Sequence, residues 1–344
     1  MKSIKNGTEN ERRKPMAKKS LTMYDNDTLK WTHDGKRYCL HIQTDDYPES
    51  PRNWDGHLCT LACWHRSYSL GDNIGKAEPK EYFRSLVRDN VPEQEVIDAA
   101  LNGRIQGIRS VKTGNGLYDI YEEYYLRTPL GNSESSETLE YEGVSQDSVA
   151  DYIIEDLTVR QAVRLLEPYA EIVQLWLYDH SGITMSCGNG NPFSCGWDSG
   201  CVGFAIALKD EMIKNAVDFV LDENGERVLE EHKHENAPST YSYKTKPLTE
   251  ETWRSVANDI IHNEVAVYDT YFRGDVYGFK LYEADIEEEE PEWEEVDSCW
   301  GFYGNDIVES GMTDYVGNGI TEIIESGEYE TGEAVLHTSS YYEF

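Results

Sequence analysis

The sequence predicts an α+β fold, with a mainly antiparallel sheet, inserted helices and an acidic surface. Three observations support this class. Runs of β-branched and aromatic residues recur along the chain, with turn-rich segments such as residues 45–56 between them. Other segments carry apolar residues at helical spacing. The chain also holds 65 Asp and Glu against 31 Lys and Arg, which gives a formal net charge of -34.

The strands are predicted from short apolar runs. Residues 172–178 (IVQLWLY) form a near-continuous apolar run, which is typical of a central or fully buried strand. The Arg-Gly-Asp segment 273–275 predicts a hairpin between the last two runs. The predicted strands are 29–31, 37–43, 58–67, 172–178, 183–186, 201–208, 265–272 and 276–282.

The helices are predicted from a change of period. Residues 79–103 carry apolar positions at helical spacing on both sides of Pro92, so they predict a helical pair. A further helix is predicted between Thr158 and Pro168, and others at 210–219 and 250–263. Residues 117–156 are Tyr-rich and acidic; a loop is predicted at 131–138, and the flanking Tyr-rich pieces are predicted as strands or a lid.

The predicted organisation has three parts. Residues 1–22 carry seven of the basic residues and predict a disordered arm. Residues 23–304 form the α+β body, with a helical and acidic insert at about 80–165, and residues 305–344 form an acidic extension. No apolar run reaches the length of a signal or membrane segment, and seven Cys is an odd count. These features predict a cytoplasmic protein with reduced thiols.

The charge is concentrated towards the end of the chain. No Lys or Arg follows Lys280, whereas 19 Asp and Glu do. A duplex presents about one negative charge per ~1.7 Å of axis, so an acidic folded surface resembles DNA to a protein that grips phosphates. The sequence therefore predicts a partner with a basic surface and no direct binding of nucleic acid. Plain solvation of the charges is the alternative.

The acidic run at residues 283–297 is the predicted contact with that partner. It holds ten acids and no bases, interrupted by Pro291 and Trp293. A groove lined with Lys and Arg would accept it, with the tryptophan as an apolar anchor; a solvated loop between two strands is the alternative. The predicted partner-binding residues are Glu287, Glu288, Glu289, Glu290, Glu292, Trp293, Glu294 and Glu295.

Two groups carry residue types that serve catalysis or metal binding. His180, Cys195 and Asp198 have the types of a nucleophilic site, but no GxSxG elbow or P-loop accompanies them. Cys and His at positions 57, 59, 63 and 65 have the types of zinc ligands. On one strand they would spread over about 27 Å, too far for a single ion. Structural packing is therefore favoured, and neither a metal nor a cofactor is predicted.

Six separated motifs resemble a group of proteins of unknown activity carried by bacteriophages and conjugative elements. The motifs are ESPRNWD (49–55), CWHRSYSLGD (63–72), LYDHSGITMS (177–186), NPFSCGWDSGCVGF (191–204), YDTYFRGDVYGF (268–279) and DSCWGFYG (297–304). The resemblance covers about residues 24–309 and supplies no catalytic residues. Its prominent positions here are Trp54, Asp55, Cys63, Trp64, His65, Asp179, Trp197, Asp275 and Trp300.

The resemblance implies an accessory protein of a mobile element that acts against host defence in the cytoplasm of a bacterial cell. Combined with the charge, it predicts a non-enzymatic inhibitor of the anti-CRISPR or anti-restriction type, acting by acidic DNA mimicry on a host defence protein. One alternative is a protein that binds or cleaves a nucleotide signal with the YDHSG and CGWDSG loops, where Phe193 and Trp197 would stack on a base. Another is a phage structural or scaffold protein, and the oligomeric state stays open.

Overall fold

The computed structural model describes residues 21–105, 108–113, 121–126, 146–223, 227–232, 240–287 and 291–333. The chain divides into two compact units. Unit 1 contains the described parts of residues 1–53 and 267–344, and unit 2 those of residues 54–266. The predicted arm at residues 1–22 lies almost wholly outside the described residues.

The elements follow one another in this order along the chain. The strands are β1 (Asp27–His33), β2 (Lys36–Thr44), β3 (Thr60–Cys63), β4 (Ile108–Thr113), β5 (Tyr121–Leu126), β6 (Ala170–Asp179), β7 (Ile183–Cys187), β8 (Ser199–Leu208), β9 (Val217–Phe219), β10 (Leu229–His232), β11 (Thr240–Tyr243), β12 (Thr245–Pro247), β13 (Val276–Asp285), β14 (Glu294–Tyr303) and β15 (Glu330–Glu333). The helices are α1 (Pro79–Asn90), α2 (Glu93–Leu101), α3 (Gln146–Asp156), α4 (Val159–Leu166), α5 (Lys209–Asn215), α6 (Trp253–Arg273), α7 (Met312–Val316) and α8 (Ile320–Ser326).

Unit 1 is built on a five-stranded antiparallel sheet in the order β14-β13-β2-β1-β15. Alternate residues of its strands point to one face, where Leu40 and Phe279 are fully buried. Met312, Ile320 and other apolar residues of α7 and α8 belong to the same hydrophobic cluster. Two short helices therefore cover one face of the sheet and close its core.

The predicted acidic extension is part of this unit. Residues 305–333 contribute α7, α8 and β15, and β15 pairs with β1 through Leu29 and Thr331. At the other end of the chain, Leu21 packs against the same core, and Thr22 forms a bridge with Asp306. Apolar residues spaced along an acidic tail thus place it in the core, which the composition of the tail alone did not predict.

Unit 2 is built on the antiparallel sheet β3-β8-β6-β7. One hydrophobic cluster joins Ala62 and Ile206 of the sheet to α1, α2, α3 and α4. Helix α4 begins with a capping box, in which Thr158 and Gln161 each bind the other's backbone N–H. The predicted helical insert therefore supplies the helical layer of unit 2, and its described parts also include the pair β4–β5.

Helix α6 corrects one sequence prediction. Residues 265–272 were predicted as a strand because Val, Tyr and Phe favour strands, but they continue the helix that begins at Trp253. The fully buried or nearly buried positions Ala257, Ile261, Val265 and Tyr268 recur every three or four residues. Burial of this stripe outweighs the strand propensity of its residues.

The predicted α+β class is confirmed, because helices and antiparallel sheets contribute in similar measure. Most of the predicted strands and the helical pair at 79–103 are also present. Helix α3 lies where strands or a lid were predicted, and residues 217–219 form β9 instead of ending a helix. None of the described helices is long and apolar enough to cross a membrane.

Two glycines of β8 give a test of the central sheet in unit 2. A Cβ added at Gly203 would lie 2.0 Å from the Ala62 carbonyl oxygen on β3, whereas one added at Gly200 would meet nothing within 4 Å. We expect Gly203→Ala to lower the free energy of unfolding by about 1–3 kcal/mol, because neighbouring backbone must move. Gly200→Ala should change it by less than about 0.5 kcal/mol. Urea denaturation measures both, and equal midpoints would contradict the register.

Candidate functional site

The first candidate site is the acidic surface of unit 1, defined by the exposed carboxylates that follow Lys280. They lie at the end of β13, on β14, α7, α8 and β15, and on the connections between these elements. Strand β14 is an outer strand of the described sheet. Most residues of β14 are exposed. The acidic surface comprises Asp285, Glu287, Glu292, Glu294, Glu295, Asp297, Glu309, Asp314, Glu322, Glu325, Glu328 and Glu330.

Few cations lie among these carboxylates. Lys280 Nζ is 3.5 Å from the Glu295 carboxylate, and Lys36 Nζ is 2.6 Å from that of Glu283. The hydrogen bond to Glu283 raises the pKa of Lys36. Since residues 281–344 contain no Lys or Arg, the surrounding field is strongly negative.

The structure corrects the predicted role of Trp293. Its side chain is only 8% exposed and packs with Cys39, Tyr282 and Ala284. Lys30 Nζ lies 5.8 Å from the centre of its ring. Burial in this cluster raises the pKa of the Cys39 thiol to about 11. Burial of this apolar ring against two strands is more favourable than its exposure to water. Trp293 therefore packs at the start of β14 and is not exposed as an anchor for a partner.

The other predicted contact residues divide into two groups. Glu287, Glu292, Glu294 and Glu295 are exposed, as the prediction requires. Residues 288–290, which supply the other three predicted glutamates, lie outside the described residues. The acidic run is thus the end of one strand, a connection and the beginning of the next, instead of a single loop.

The second candidate site lies at one end of the sheet of unit 2. Strands β3 and β6 both run antiparallel to β8, so they end on the same side, where β7 and β8 begin. The register pairs Tyr178 with Ser199 and Asp179 with Ile183. The sheet therefore brings together the loops after β3 and β6 and the start of β8, which carry three of the six motifs.

The loop of residues 188–198 crosses β6 to reach β8. At its start, the Trp176 indole N–H donates to the Gly188 carbonyl at 3.1 Å. In its middle, the Phe193 ring stacks on Tyr178 with 5.5 Å between centroids. Tyr178 and Trp176 lie two residues apart on one face of β6, so these contacts hold the loop over that face. We call residues 188–198 the crossing loop.

The crossing loop brings the predicted nucleophilic residues together. Asp198 Oδ2 lies 3.4 Å from His180 Nδ1 and accepts a hydrogen bond from Cys195 Sγ at 3.5 Å. The Asp179 backbone N–H donates to the Asp198 carbonyl at 2.7 Å, which fixes the position of this residue. The carboxylate lies between thiol and imidazole, so the described contacts do not place His180 to take the thiol proton.

Aromatic side chains surround this group. Trp197 is 97% exposed. Tyr68 stacks on His65 with 5.0 Å between ring centroids, and its hydroxyl donates to Asp179. That hydrogen bond and the negative charge of Asp179 raise the pKa of Tyr68. The site therefore combines exposed aromatic surface with two carboxylates.

Several other motif residues stabilise the fold. The Trp64 indole N–H donates to the Ala77 carbonyl at 2.8 Å, and its ring packs against the core of unit 2. Arg273 forms a 2.6 Å ion pair with Asp275. The Trp300 ring lies so close to Gly278 that a Cβ there would approach it to 2.2 Å. These three positions contribute packing and hydrogen bonds within their own units.

The remaining motif residues lie in loops or at a strand end. Trp54 and Asp55 are exposed. Cys63 ends β3 and is partly exposed, close to Gly71. His65 Nδ1 accepts hydrogen bonds from the backbone N–H groups of Ser67 and Tyr68, so it caps the loop after β3.

Of the two Cys and two His weighed as zinc ligands, His57 and Cys59 share a partner, whereas His65 has different surroundings. Glu264 of α6 lies 3.1 Å from both His57 Nδ1 and Cys59 Sγ, and it accepts from the Leu58 backbone N–H at 3.0 Å. His65 engages the backbone of its own loop. Over the described part of the chain, no group of three or more His, Cys, Asp and Glu could hold a metal ion.

The structure also shows a thiol and an imidazole that sequence reasoning did not join. Cys187 Sγ at the end of β7 lies 3.1 Å from His262 Nδ1 on α6. The two residues are 75 positions apart. No local pattern links them, and only the register of the sheet and the placement of α6 bring them together.

No protein-family model, curated protein or solved structure matches this chain. The motif resemblance therefore stays a prediction.

The hydrogen bond between Tyr68 and Asp179 can be tested by titration. Asp179→Asn should lower the pKa of Tyr68 towards its ordinary value of about 10, because the negative charge that opposes a phenolate is removed. NMR of protein with labelled tyrosine measures this pKa, and Tyr68→Phe identifies the signal. Asp198→Asn is the matched control and should leave the titration unchanged. An unaltered Tyr68 titration in Asp179→Asn would contradict the contact.

Proposed function

We propose that this protein is a non-enzymatic inhibitor that binds the basic nucleic-acid groove of a host defence protein, with the acidic surface of unit 1 in place of the phosphates. The motif resemblance suggests the setting, a mobile element acting in the cytoplasm of a bacterial cell. The observation that carries the proposal is the set of exposed carboxylates after Lys280, a segment whose sequence contains no Lys or Arg.

The fold supports this use of the carboxylates because it holds them on ordered elements. Glu294, Glu295 and Asp297 are exposed on β14, and Glu322 and Glu325 are exposed on α8. Both elements are held by the core of unit 1, which includes Phe302 and Ile324. Charges already held in place lose little conformational freedom on binding, so more of their attraction remains as affinity.

The charge also makes a basic partner more favourable than a second copy. Strands β14 and β15 are the two outer strands of the described sheet, and both carry exposed glutamates. Charged outer strands oppose edge-to-edge pairing, because two copies would bring like charges together. A surface rich in Lys and Arg would relieve this repulsion and would be steered towards it over long range.

The proposal predicts binding that depends on charge. In the variant with Glu287, Glu292, Glu294 and Glu295 changed to Gln, affinity should fall by between about fourfold and about a thousandfold at low salt, because each of the four exposed charge contacts contributes roughly 0.2–1 kcal/mol. The probes are a purified restriction endonuclease and a purified RNA-guided nuclease. Biolayer interferometry measures binding, and cleavage of a DNA substrate measures inhibition.

A matched variant changes four exposed acids of unit 2, namely Asp89, Glu93, Asp210 and Glu223, to their amides. It loses the same charge and should bind as the parent does. Competing duplex DNA should displace the parent protein, and binding should weaken as salt rises from about 50 to 200 mM. Binding that persists unchanged through these conditions, or that both variants weaken equally, would refute the proposal.

A second function is favoured by the meeting of His180, Cys195 and Asp198 beside exposed aromatic rings. The site could hold a nucleotide signal, with Phe193 or Trp197 stacking on its base. Charge opposes this function, because residues 177–208 contain no Lys or Arg to meet a phosphate. The acidic surface therefore supports the first proposal better.

The two functions respond oppositely to mutation. A variant with His180→Gln, Cys195→Ser and Asp198→Asn should keep nuclease binding under the first proposal. Under the second, it should lose nucleotides that mass spectrometry detects in the purified parent protein, and the variant of the acidic surface should keep them. A purified parent protein that carries no nucleotide would exclude the second function.

A further inference from the structure

The pair Cys187 and His262 in unit 2 belongs to neither function. Cys187 is the last residue of β7, and His262 lies in the middle of α6. The thiol sulfur and the imidazole Nδ1 are 3.1 Å apart. Cys187 is partly exposed and His262 is exposed, so a small molecule can approach the pair from solvent.

The fold determines why these two residues meet. Along β7, Met185 and Cys187 point to the same face, and Met185 is buried. Along α6, His262 follows the fully buried Ile261 and therefore lies at the margin of the buried stripe. The pair thus lies at the edge of a contact between sheet and helix, where the thiol is half-covered and the imidazole reaches water.

The surroundings also set the direction of the hydrogen bond. Burial raises the pKa of the Cys187 thiol to about 11. The sulfur is therefore protonated near neutral pH, and its S–H donates to His262 in the tautomer that leaves Nδ1 without a proton. An imidazole in this position can take the proton as the sulfur attacks, which is the arrangement of an activated thiol.

Other partly exposed thiols have different partners. Cys195 Sγ donates to the carboxylate of Asp198. Cys201 Sγ contacts the carbonyl oxygen of Gly203 at 3.6 Å, and burial raises its pKa as well. Neither contact supplies an imidazole base. Cys201 is nevertheless the more exposed residue, so simple accessibility would rank it ahead of Cys187.

We propose that Cys187 is a site of covalent modification by small disulfides, with His262 as its general base. Cys187 Sγ attacks one sulfur of the disulfide, and its proton passes to His262 Nδ1. A new S–S bond forms as the old one breaks, and the departing thiolate takes the proton to become a free thiol. The small disulfide is the oxidant, and its other half stays on the chain as a mixed disulfide.

The position of Cys187 gives the modification a structural consequence. The next residue, Gly188, begins the crossing loop, and both of its backbone polar groups bond to β6. Its N–H donates to the Gln174 carbonyl at 3.0 Å, and its carbonyl accepts from the Trp176 indole N–H at 3.1 Å. A group attached to Cys187 takes the space of the His262 contact. The modification therefore acts at the point where the crossing loop is anchored.

The experiment treats the reduced full-length protein with bis(hydroxyethyl) disulfide, whose lack of charge avoids repulsion by the acidic chain. Peptide mass spectrometry follows each cysteine from about pH 6 to about pH 9. Cys187 should react at least about tenfold faster than Cys201 near neutral pH, since a positioned base typically contributes 10²–10⁴. Its rate should level off before about pH 9, because the base-assisted reaction does not require the free thiolate.

The variant His262→Gln separates a base from a packing residue. It should slow Cys187 by about tenfold or more, and its rate should then rise about tenfold per pH unit, as for an unassisted thiol of raised pKa. The rates of Cys195 and Cys201 should not change, and Cys187→Ser should remove only the fast phase. Circular dichroism checks that the variant is folded.

Two results would overturn the proposal. One is a Cys187 rate no greater than that of Cys201 in the parent protein. The other is an unchanged Cys187 rate in folded His262→Gln. If that variant does not fold, the parent's pH profile decides: a rate that keeps rising tenfold per unit to about pH 9 excludes the base.

Discussion

Repulsion among carboxylates is the constraint that the architecture of unit 1 has to satisfy. Residues after Lys280 bring acids and no Lys or Arg, so neighbouring charges oppose a compact state. The opposing force is burial of apolar side chains: Phe302, Ile307, Met312 and Ile320 alternate with the acids along the chain and enter one core. In the folded unit, the apolar side chains of this segment therefore lie in the core and its carboxylates lie on the surface.

In unit 2, the main role of the sheet is to position the loops at one of its ends. Its sheet is the fixed part, since β6 lies between β7 and β8 and one of its faces packs against four helices. The loops at one end of this sheet carry side chains that have few apolar contacts of their own, such as Trp197. Ordered loops on a rigid scaffold are where proteins commonly place binding groups. The crossing loop fits that description through its contacts to Trp176 and Tyr178.

Local patterns in the sequence predicted most of the secondary structure. The run at 172–178 became β6, and the apolar spacing on either side of Pro92 became α1 and α2. Propensity failed at 265–272, where a buried stripe continued from Ala257 and kept the chain helical. The prediction from composition failed for Trp293. The acidic run around this ring does not show that it packs against Cys39 and Tyr282 of two neighbouring strands.

The candidate sites show the same division. Exposure of Glu294 and Glu295 follows from charge, which a sequence displays directly. His180 and Asp198 were grouped from the sequence by residue type alone, and their contact arises because the crossing loop returns to the end of β6. The contact between Cys187 and His262 depends on how α6 lies against β7. Such a contact is tertiary, and without homologous sequences no pattern in a single chain reveals it.

The order of elements in unit 1 has a consequence for synthesis on the ribosome. Strand β2 ends at Thr44, but its partner β13 begins at Val276. At about 5–20 residues per second, the nascent strand waits for roughly ten to fifty seconds. Unit 2 is continuous in sequence and emerges complete within that interval. The apolar face of β1 and β2 therefore stays uncovered in the nascent chain during this interval, and exposed apolar surface of this kind is what chaperones recognise.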